Sequence, residues 1–447
     1  MSARHPCLSA VFALPLAGFA SCATYTERTS SALRDFQGGQ FDSARKAYAD
    51  PDTTDSAFLA GAEAGTVALT AGDWPAALEH FHRAGAVVED IEGRALIGPE
   101  RLGETLASWA LNDMARAYQG EGFERVYLHC GLALAYLAQG KVDDVYVEAR
   151  RANQLLEAEE ALYETKYEAG GFGHLISAVT YELIGDKGDA LIDYQRMEEK
   201  GVGTTLAGRA LVRLARELGR DDLSPALEEK YGPDTPRPEG AATVVVLAGV
   251  GLGPYKIESG LTLPLPEGVF QMAVPGYVER PQPVTALRLV DVASGESVRT
   301  DLVESVTKVA FENLEDRLGW MAAKSIARGI LKRELTKTLE DRYDTAGRIA
   351  GDLFTLLTER ADTRAWLTLP DSWQACRLFV PPGARALALD ALGGETVQLG
   401  TFELEPGETL VVIARSLGPS LYAHAIGGKP VDPNAAAPAA AQPSATP

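Results

Sequence analysis

Residues Glu124 to Glu157 read ERVYLHCGLALAYLAQGKVDDVYVEARRANQLLE, and this stretch decides the fold. Apolar residues recur at helical spacing on both sides of Gly140, which interrupts the pattern. The stretch therefore predicts a helical hairpin with one apolar face on each helix. Neither helix can bury its apolar face alone, so a hairpin of this size implies stacked neighbours.

Glycines that break helical patterns recur along the N-terminal half. Five of them end an apolar run: Gly39, Gly72, Gly140, Gly185 and Gly219. Their separations are 33, 68, 45 and 34 residues, and three of these fit one or two units of about 34 residues, the tetratricopeptide period. A small residue recurs five positions after the glycine, and an aromatic residue nine positions after it in three units. We therefore predict tetratricopeptide-like repeats, with generic helical hairpins as the alternative.

Some segments depart from this period. Leu102–Tyr118, where a turn glycine is missing, reads as one continuous helix. Leu155–Gly173 is an acidic extension that lengthens one helix and its loop, and it is either a solvated helix face or a binding surface. The unit at Gly219 carries polar residues at apolar positions, which is typical of the solvating cap of a solenoid. His80 and His82 point in different directions from one helix, which indicates surface residues rather than metal ligands.

A targeting signal precedes the repeats. An apolar stretch from Leu8 to Phe19 follows a short basic start, and two small residues lead to Cys22. This pattern resembles a bacterial lipoprotein signal peptide, which is cleaved before a cysteine that becomes diacylated. An ordinary secretory signal with an incidental cysteine is the alternative. We expect residues 1–21 to be removed, residues 22–31 to form a tether, and Ala23 to direct the lipoprotein to the periplasmic side of the outer membrane.

Composition excludes several classes of function. The chain has 447 residues, with 42 Lys and Arg against 62 Asp and Glu, and its formal net charge is -20. Such a charge repels phosphates, so we expect no nucleic-acid partner. The cysteines fit no zinc or redox spacing, and we expect no metal and no cofactor. Cys130 and Cys376 lie in apolar settings, typical of buried small side chains rather than of a disulfide pair.

The second half begins after a Pro-rich break at residues 232–240. A β-branched run at Thr243–Leu247 predicts a strand. Further strand patterns follow at Val269–Val274, Val284–Val292, Glu296–Arg299, Gln374–Val380, Ala386–Leu392, Val397–Leu404 and Thr409–Arg415. We predict an α+β domain over residues 241–425, with a helical insertion at residues 301–360 and a small antiparallel sheet or sandwich. The Ala/Pro-rich residues 426–447 predict a disordered tail.

Two features of this half look like binding motifs. Three glycines follow the first strand: Gly249, Gly251 and Gly253. Pro254 and an extended segment come next instead of a helix, which excludes the phosphate site of a dinucleotide-binding fingerprint. Within the insertion, Lys324, Arg328 and Lys332 recur every four residues opposite an apolar face. They form either a cationic stripe for anionic headgroups or an acidic partner, or the solvated face of an amphipathic helix.

Three segments together resemble a known family: DDVYVEARRANQLLE, HLISAVTYELIGDKGDALIDYQR, and ERADTRAWLTLPDSWQACRLFVPPG. Over about residues 30 to 415, the chain resembles an uncharacterised family of bacterial tetratricopeptide-repeat outer-membrane lipoproteins. The resemblance implies a cell-envelope protein without assigned catalytic residues, from a family whose members are sometimes associated with activators of peptidoglycan synthesis. Where relatives read VVLYENGLAP after the domain boundary, this chain reads VVVLAGVGLGP and lacks the acidic and aromatic residues.

These observations predict a multidomain protein of class α + (α+β), with a tetratricopeptide-like α-solenoid over residues 32–231 followed by the β-rich domain. We expect a scaffold, anchored in the membrane by lipid on Cys22, that offers a groove to an envelope protein or peptide. Lys141, Arg150 and Arg151 are the first candidates for contacting this partner, together with the cationic stripe. We expect no catalytic residue. The alternatives are a hydrolase or transferase of envelope polymers with its site in the C-terminal domain, and a purely structural spacer of the cell wall.

Overall fold

The computed structural model describes residues 24–97, 117–233, 237–265, 268–319 and 361–431. Several features predicted from the sequence lie outside these ranges: Cys22, Lys324, Arg328, Lys332 and most of Leu102–Tyr118. Among the helices of the described ranges, none is both long and apolar enough to cross a membrane.

The N-terminal half consists of helices. They are α1 (Tyr25–Arg28), α2 (Ser30–Gln37), α3 (Phe41–Ala49), α4 (Pro51–Thr54), α5 (Ala57–Ala71), α6 (Trp74–Ile97), α7 (Gly122–Ala138), α8 (Val142–Tyr163), α9 (Gly171–Leu183), α10 (Lys187–Lys200), α11 (Thr204–Glu217) and α12 (Ser224–Tyr231). Consecutive helices pack against each other as hairpins: α5 on α6, α7 on α8, and α9 on α10. The hairpin predicted at Glu124–Glu157 is therefore confirmed as α7 and α8.

The turns of these hairpins lie where the glycine pattern predicts them. All five turn glycines have φ between 64° and 83°, a left-handed conformation that favours glycine. The small residues five positions later are fully buried, namely Ala44, Ala77, Val145 and Ala190. Tyr48, Phe81 and Tyr194, nine positions after their glycines, are buried as well. Helix α12 buries none of its residues, as expected of a solvated end. The tetratricopeptide assignment itself stays a prediction.

The C-terminal half is rich in strands. They are β1 (Ala242–Val250), β2 (Tyr255–Leu265), β3 (Gly268–Val278), β4 (Leu287–Asp291), β5 (Ser297–Arg299), β6 (Asp301–Ser305), β7 (Ser372–Val380), β8 (Gly383–Ala391), β9 (Thr396–Leu404), β10 (Thr409–Leu417), β11 (Ser420–Ile426) and β12 (Lys429–Pro430). Each strand pattern read from the sequence overlaps one of these strands. A further helical segment spans residues 306–319.

Most of the strands form two five-stranded sheets. Sheet I has the order β11-β10-β1-β7-β6, and sheet II has the order β12-β9-β8-β4-β5. Strand β1 pairs in parallel with β10 and antiparallel with β7, so sheet I is mixed. Strands β2 and β3 form a separate antiparallel ribbon. The expectation of a small sheet or sandwich is thus confirmed as two sheets, with a parallel pair that the sequence did not predict.

Both faces of sheet I are covered, which makes the fold three-layered. Along β1, Val244 and Val246 point into an apolar core shared with sheet II. Their neighbours Val245 and Leu247 belong to the core formed with the helices. A strand covered on both faces shows a continuous apolar run rather than alternation, and β1 is buried along its whole length. The layers are therefore helices, sheet I and sheet II.

Two boundary predictions are wrong. The helical insertion was expected to begin at residue 301, but Asp301–Ser305 form β6, which pairs with β7. In this segment Leu302 is exposed, whereas Val303 and Glu304 are both buried, since the pairing with β7 shifts register between Leu302 and Glu304 as in a β-bulge. The disordered tail was expected from residue 426, but Ile426 ends β11, and β12 pairs with β9. Both segments are ordered because they pair with strands that lie elsewhere in the sequence, β6 with β7 and β12 with β9.

Candidate functional site

A short irregular segment, Ala365–Pro370, lies between the helices and sheet I, and we call it the strap. Every residue of the strap is buried although none of them is in a helix or strand. Buried backbone without regular structure needs hydrogen-bond partners from elsewhere. The side chains that supply them come from both halves of the chain.

Two glutamates from the helices accept the backbone N–H groups of the strap. Glu124 on α7 accepts a hydrogen bond from the Trp366 amide at 2.7 Å. Glu63 on α5 accepts from the Leu367 amide at 2.7 Å and from the Thr368 amide at 3.0 Å. Three consecutive amides are therefore bound by carboxylates, an arrangement that gives short, charge-assisted hydrogen bonds.

Two arginines from the C-terminal half donate to the carbonyl groups of the same segment. Arg280 Nη1 donates to the Leu367 carbonyl at 3.0 Å, and Arg415 Nη2 donates to the Thr368 carbonyl at 2.9 Å. The Trp366 indole donates to the hydroxyl groups of Thr66 and Thr368. We call Glu63, Glu124, Arg280 and Arg415 the clamp, because together they hold both edges of the strap backbone.

Burial shifts the pKa values of the clamp carboxyls. Burial raises the pKa of Glu63 to about 7, although hydrogen bonds from Thr368, Leu367 and Tyr25 lower it. Burial also raises the pKa of Glu124, and the nearby Lys256 opposes this shift. The clamp thus contains carboxyls of the kind found at catalytic sites, but their oxygens already accept the strap amides. The arrangement is suited to holding an extended peptide segment.

An ion-pair cluster lies beside the clamp. Glu121, at the start of α7, contacts Lys256 on β2 and accepts from Arg317 Nη1 at 2.5 Å. Burial alone would raise the pKa of Glu121, but Arg317 and Lys256 hold it well below its usual range. The neighbouring pair Arg125–Glu159 is also buried, with its charged atoms 2.8 Å apart. The acidic extension is therefore not simply a solvated face, since Glu159 belongs to this interior cluster.

Sheet I presents further polar and aromatic side chains to the helices. Glu304 on β6 accepts from the Tyr127 hydroxyl at 2.7 Å and from the Phe172 amide at 3.0 Å. Trp373 on β7 stacks on Phe172 with ring centroids 4.0 Å apart. Arg377 on the same strand binds Glu182 of α9. These contacts fix where the helices lie on the sheet.

The structure places the candidate partner residues on the surface of the helical layer. Lys141 precedes α8, and Arg150 and Arg151 lie on it, and all three are exposed. The contacts with sheet I and the strap come mainly from α5, α7 and α9. Helix α8 packs on neighbouring helices, and near its C-terminal end Glu159 reaches the buried ion-pair cluster, whereas Arg150 and Arg151 are exposed. Their role in contacting a partner stays a prediction, and the side of the helices that carries the α5, α7 and α9 contacts is occupied by the strap and sheet I.

The histidines lie differently from the prediction as well. His80 was expected at the surface but is buried, whereas His82 is exposed and hydrogen-bonded to the Tyr136 hydroxyl at 2.8 Å. Inside the helical layer, His129 lies 2.5 Å from Glu148 and 3.2 Å from Glu92. Burial lowers the pKa of His129, but the hydrogen bonds that its ring donates to these two carboxylates raise it to about 9.

A second histidine pair repeats this geometry. His174 on α9 lies 2.8 Å from Asp193 on α10. Both pairs, His129–Glu148 and His174–Asp193, are separated by 19 residues, so they occupy equivalent positions in two hairpins. Within the described ranges, no group of three or more His, Cys, Asp or Glu side chains is arranged to hold a metal ion. Cys130 and Cys376 are buried and free, as predicted.

Sequence reasoning missed the clamp, although one of its members left a signal. Glu63 is the only charged residue of α5, whose other residues are apolar or small and polar. A lone carboxylate in such a helix indicates a buried hydrogen-bond acceptor. The partners of Glu63 in the strap are more than 300 positions away, and nothing in the sequence identifies them.

The chain was compared with protein-family models and with curated proteins. No family model matches it, and no curated protein matches it. The family resemblance described above therefore stays a prediction, and the fold and site rest on the chain's own residues.

Proposed function

We propose that this protein is a lipid-anchored scaffold of the bacterial cell envelope, linked to cell-wall or outer-membrane assembly, that acts by binding a protein or peptide. The observation that carries the proposal is the filled inner side of the helical layer. Because the strap and sheet I occupy that side, the two halves of the chain form one body. A partner of the tetratricopeptide-like array then binds on the outer helices.

The outer helices carry the exposed apolar and basic residues that such binding needs. Val147 on α8 and Ile192 on α10 are 51% and 45% exposed, and each lies seven residues after the turn glycine of its hairpin. Lys141, Arg150 and Arg151 add positive charge on the same hairpin as Val147. Apolar side chains beside arginines favour an acidic partner segment with apolar anchors.

The state of the buried carboxyls supports binding rather than catalysis. Burial raises the pKa values of Glu63, Glu124 and Glu304. Each of these carboxyls accepts backbone and side-chain hydrogen bonds from the chain itself. In the strand-rich half, Asp371 has a raised pKa because of burial, and it accepts a hydrogen bond from Thr307 at 2.6 Å. Their structural hydrogen bonds account for these residues without a reaction.

Site-specific photo-crosslinking tests where the partner binds. A photoreactive residue at Val147 or Ile192 should give a specific adduct in intact envelopes. The same residue at Val292, which is 52% exposed on the strand-rich half, is the matched control. Adducts at Val147 that do not exceed those at Val292 would contradict binding on the outer helices.

The lipid anchor is tested separately. A Cys22→Ala protein should appear in the soluble periplasmic fraction, because it lacks the residue that would carry the lipid. The unchanged protein should remain with outer-membrane vesicles in buffer without detergent. Membrane association of Cys22→Ala equal to that of the unchanged protein would overturn the anchoring proposal while leaving the partner surface open to the crosslinking test.

A further inference from the structure

Strands β2 and β3 form a ribbon that belongs to neither sheet. Their register runs without interruption from the pair Tyr255–Val278 to the pair Leu265–Gly268. Directly paired residues of an antiparallel ribbon lie on the same face, and successive residues alternate between faces. The register therefore assigns each residue of the ribbon to one of two faces. Within the described ranges, no third strand pairs with the ribbon.

One face of the ribbon, which we call the inner face, is held by the rest of the chain through polar contacts. Lys256 is 3% exposed and forms an ion pair with Glu121 of α7. Its cross-strand partner Tyr277 packs against the core formed with the helices. Glu258, on the same face, accepts a hydrogen bond from the Ala361 amide at 3.1 Å. These contacts fix the base of the ribbon with its polar face toward the protein.

The opposite face, which we call the outer face, is apolar. At its base Val274 is buried, but Ile257 is 43% exposed, whereas the neighbouring Lys256 of the inner face is 3% exposed. At Ile257 the apolar face is therefore the one open to solvent. The outer face carries no charged residue and consists of Tyr255, Ile257, Ser259, Leu261, Leu263 and Leu265 from β2 and Gly268, Phe270, Met272, Val274, Gly276 and Val278 from β3.

The part of the ribbon beyond its base is nearly free of charge. Residues 259–278 contain one charged residue, Glu267, in a chain whose formal net charge is -20. The cross-strand pair Leu263–Phe270 lies near the tip of the ribbon, on the outer face. A continuous apolar surface of this kind is uncommon on soluble proteins and marks a contact with a protein or a membrane.

Size and charge favour a lipid surface over a second copy of the chain. Two strands of 11 residues present a face of about 36 Å by 10 Å, less than half of the ~800 Å² that each partner of a stable protein interface buries. A second copy would also bring a further net charge of -20, which repels the first. A lipid surface requires no shape complementarity, and its hydrated headgroup region satisfies the unpaired edges of the strands.

We propose that the outer face of the ribbon binds a lipid bilayer, with the ribbon in the headgroup region and Leu263 and Phe270 at the boundary with the acyl chains. The proposal rests on the proposed cell-envelope location, which supplies the membrane, but not on the lipid at Cys22. A contact of this size is reversible, as the binding of a single acyl chain is. It therefore orients the protein on the membrane but does not retain the protein there during fractionation.

Binding to phosphatidylcholine vesicles tests the proposal on protein that begins at Ala23. This protein lacks the signal segment and Cys22 but keeps every described residue. It should float with the vesicles equally at low and high salt, because the outer face carries no charge. Leu263→Asp should weaken binding by about tenfold or more, because it places a charge where an apolar residue meets lipid. The adjacent Thr262→Asp, on the inner face, should weaken binding much less.

Two outcomes of the vesicle experiment contradict the proposal. One is that the unchanged protein does not bind, and the other is that the two substitutions weaken binding equally. Because Cys22 is absent from all three proteins, either outcome leaves the lipid anchor to its own test.

An environment-sensitive fluorophore shows which face meets the lipid. Cys130 and Cys376 are buried, so the fluorophore attaches to the cysteine introduced by Leu263→Cys or, as the control, by Thr262→Cys. Vesicles should shift the emission of the Leu263→Cys protein to shorter wavelength and that of the Thr262→Cys protein less. Short-wavelength emission before vesicles are added would show that the chain itself covers the face. A shift that appears with rising protein concentration and no vesicles would show that a second copy covers it, and either result overturns the proposal.

Discussion

The two faces of sheet I use the same strands but different chemistry. The face toward sheet II is mainly apolar and includes Val246, Cys376 and Leu410. The face toward the helices mixes apolar side chains with charged ones, among them Glu304 and Arg377. One face is therefore a conventional sandwich core, whereas the other is an interface held by specific hydrogen bonds and ion pairs.

This difference shows what each face contributes. An apolar core stabilises many arrangements of similar shape, whereas a buried charge without its partner costs several kcal/mol. The clamp and the pair Arg377–Glu182 therefore penalise any other placement of the helices on the sheet. We infer that the face toward sheet II contributes most of the stability. The face toward the helices determines where the helices lie on the sheet.

The largest expected effect comes from opening a cavity in the sandwich face. Leu389 on β8 is fully buried between the sheets, and Leu389→Ala should lower the free energy of unfolding by about 4 kcal/mol. Urea unfolding measures this loss. Tryptophan emission of the folded variant should keep its wavelength, because Trp366 and Trp373 lie on the other face. A red shift before unfolding would show that the two faces are not independent.

The next effect is a pH response confined to the helical side. Because the folded pKa of His129 is raised to about 9, its ion pairs stabilise the fold fully below pH 6.5 and lose this contribution as pH rises through 9. The loss amounts to about 3 kcal/mol, since one pKa unit corresponds to about 1.4 kcal/mol.

Urea unfolding at pH 7 and pH 10 measures this response. His129→Gln should reduce the difference between the two pH values, whereas the exposed His82→Gln should preserve it. An unchanged difference in His129→Gln would exclude His129 as its source.

Glu63→Gln tests the clamp at nearly constant volume. One acceptor oxygen becomes an NH2 group that faces a strap amide, so the free energy of unfolding should fall by about 2 kcal/mol. Hydrogen exchange at the Leu367 and Thr368 amides should accelerate. Glu157→Gln, an equivalent change at an exposed position of α8, should stay within about 0.5 kcal/mol of the unchanged chain. Equal effects of the two substitutions would mean that the clamp does not hold the strap.

Local patterns in the sequence predict much of the fold. The positions of the turns between helices can be predicted from Gly140 and its equivalents, because the conformation of each turn depends on only a few neighbouring residues. The strand Thr243–Leu247 follows from its own β-branched run. Segment Asp301–Ser305 was predicted wrongly because its strand state depends on pairing with β7, about 70 residues later in the chain.

The clamp could not be predicted for a related reason. Leu367 meets Glu63 across 304 positions of sequence, and Trp366 meets Glu124 across 242. Hydrogen-bond partners this far apart depend on the placement of one layer on another, which no local period encodes. The contact of the strap and sheet I with the helices, which the sequence did not predict, has the same origin.

The smallest expected effect concerns an ion pair on the outside of sheet II. Arg288 on β4 donates to Asp390 on β8 at 2.7 Å, and the arginine side chain is about half exposed. Exposed pairs contribute little because water and salt screen them, so Asp390→Asn should change the free energy of unfolding by less than about 1 kcal/mol. Raising the salt concentration should remove what remains. If Asp390→Asn lowered the free energy of unfolding as much as Glu63→Gln does, an exposed ion pair would stabilise the fold as strongly as the buried clamp. The buried charges on the helix face of sheet I would then not explain how the helices are positioned on the sheet.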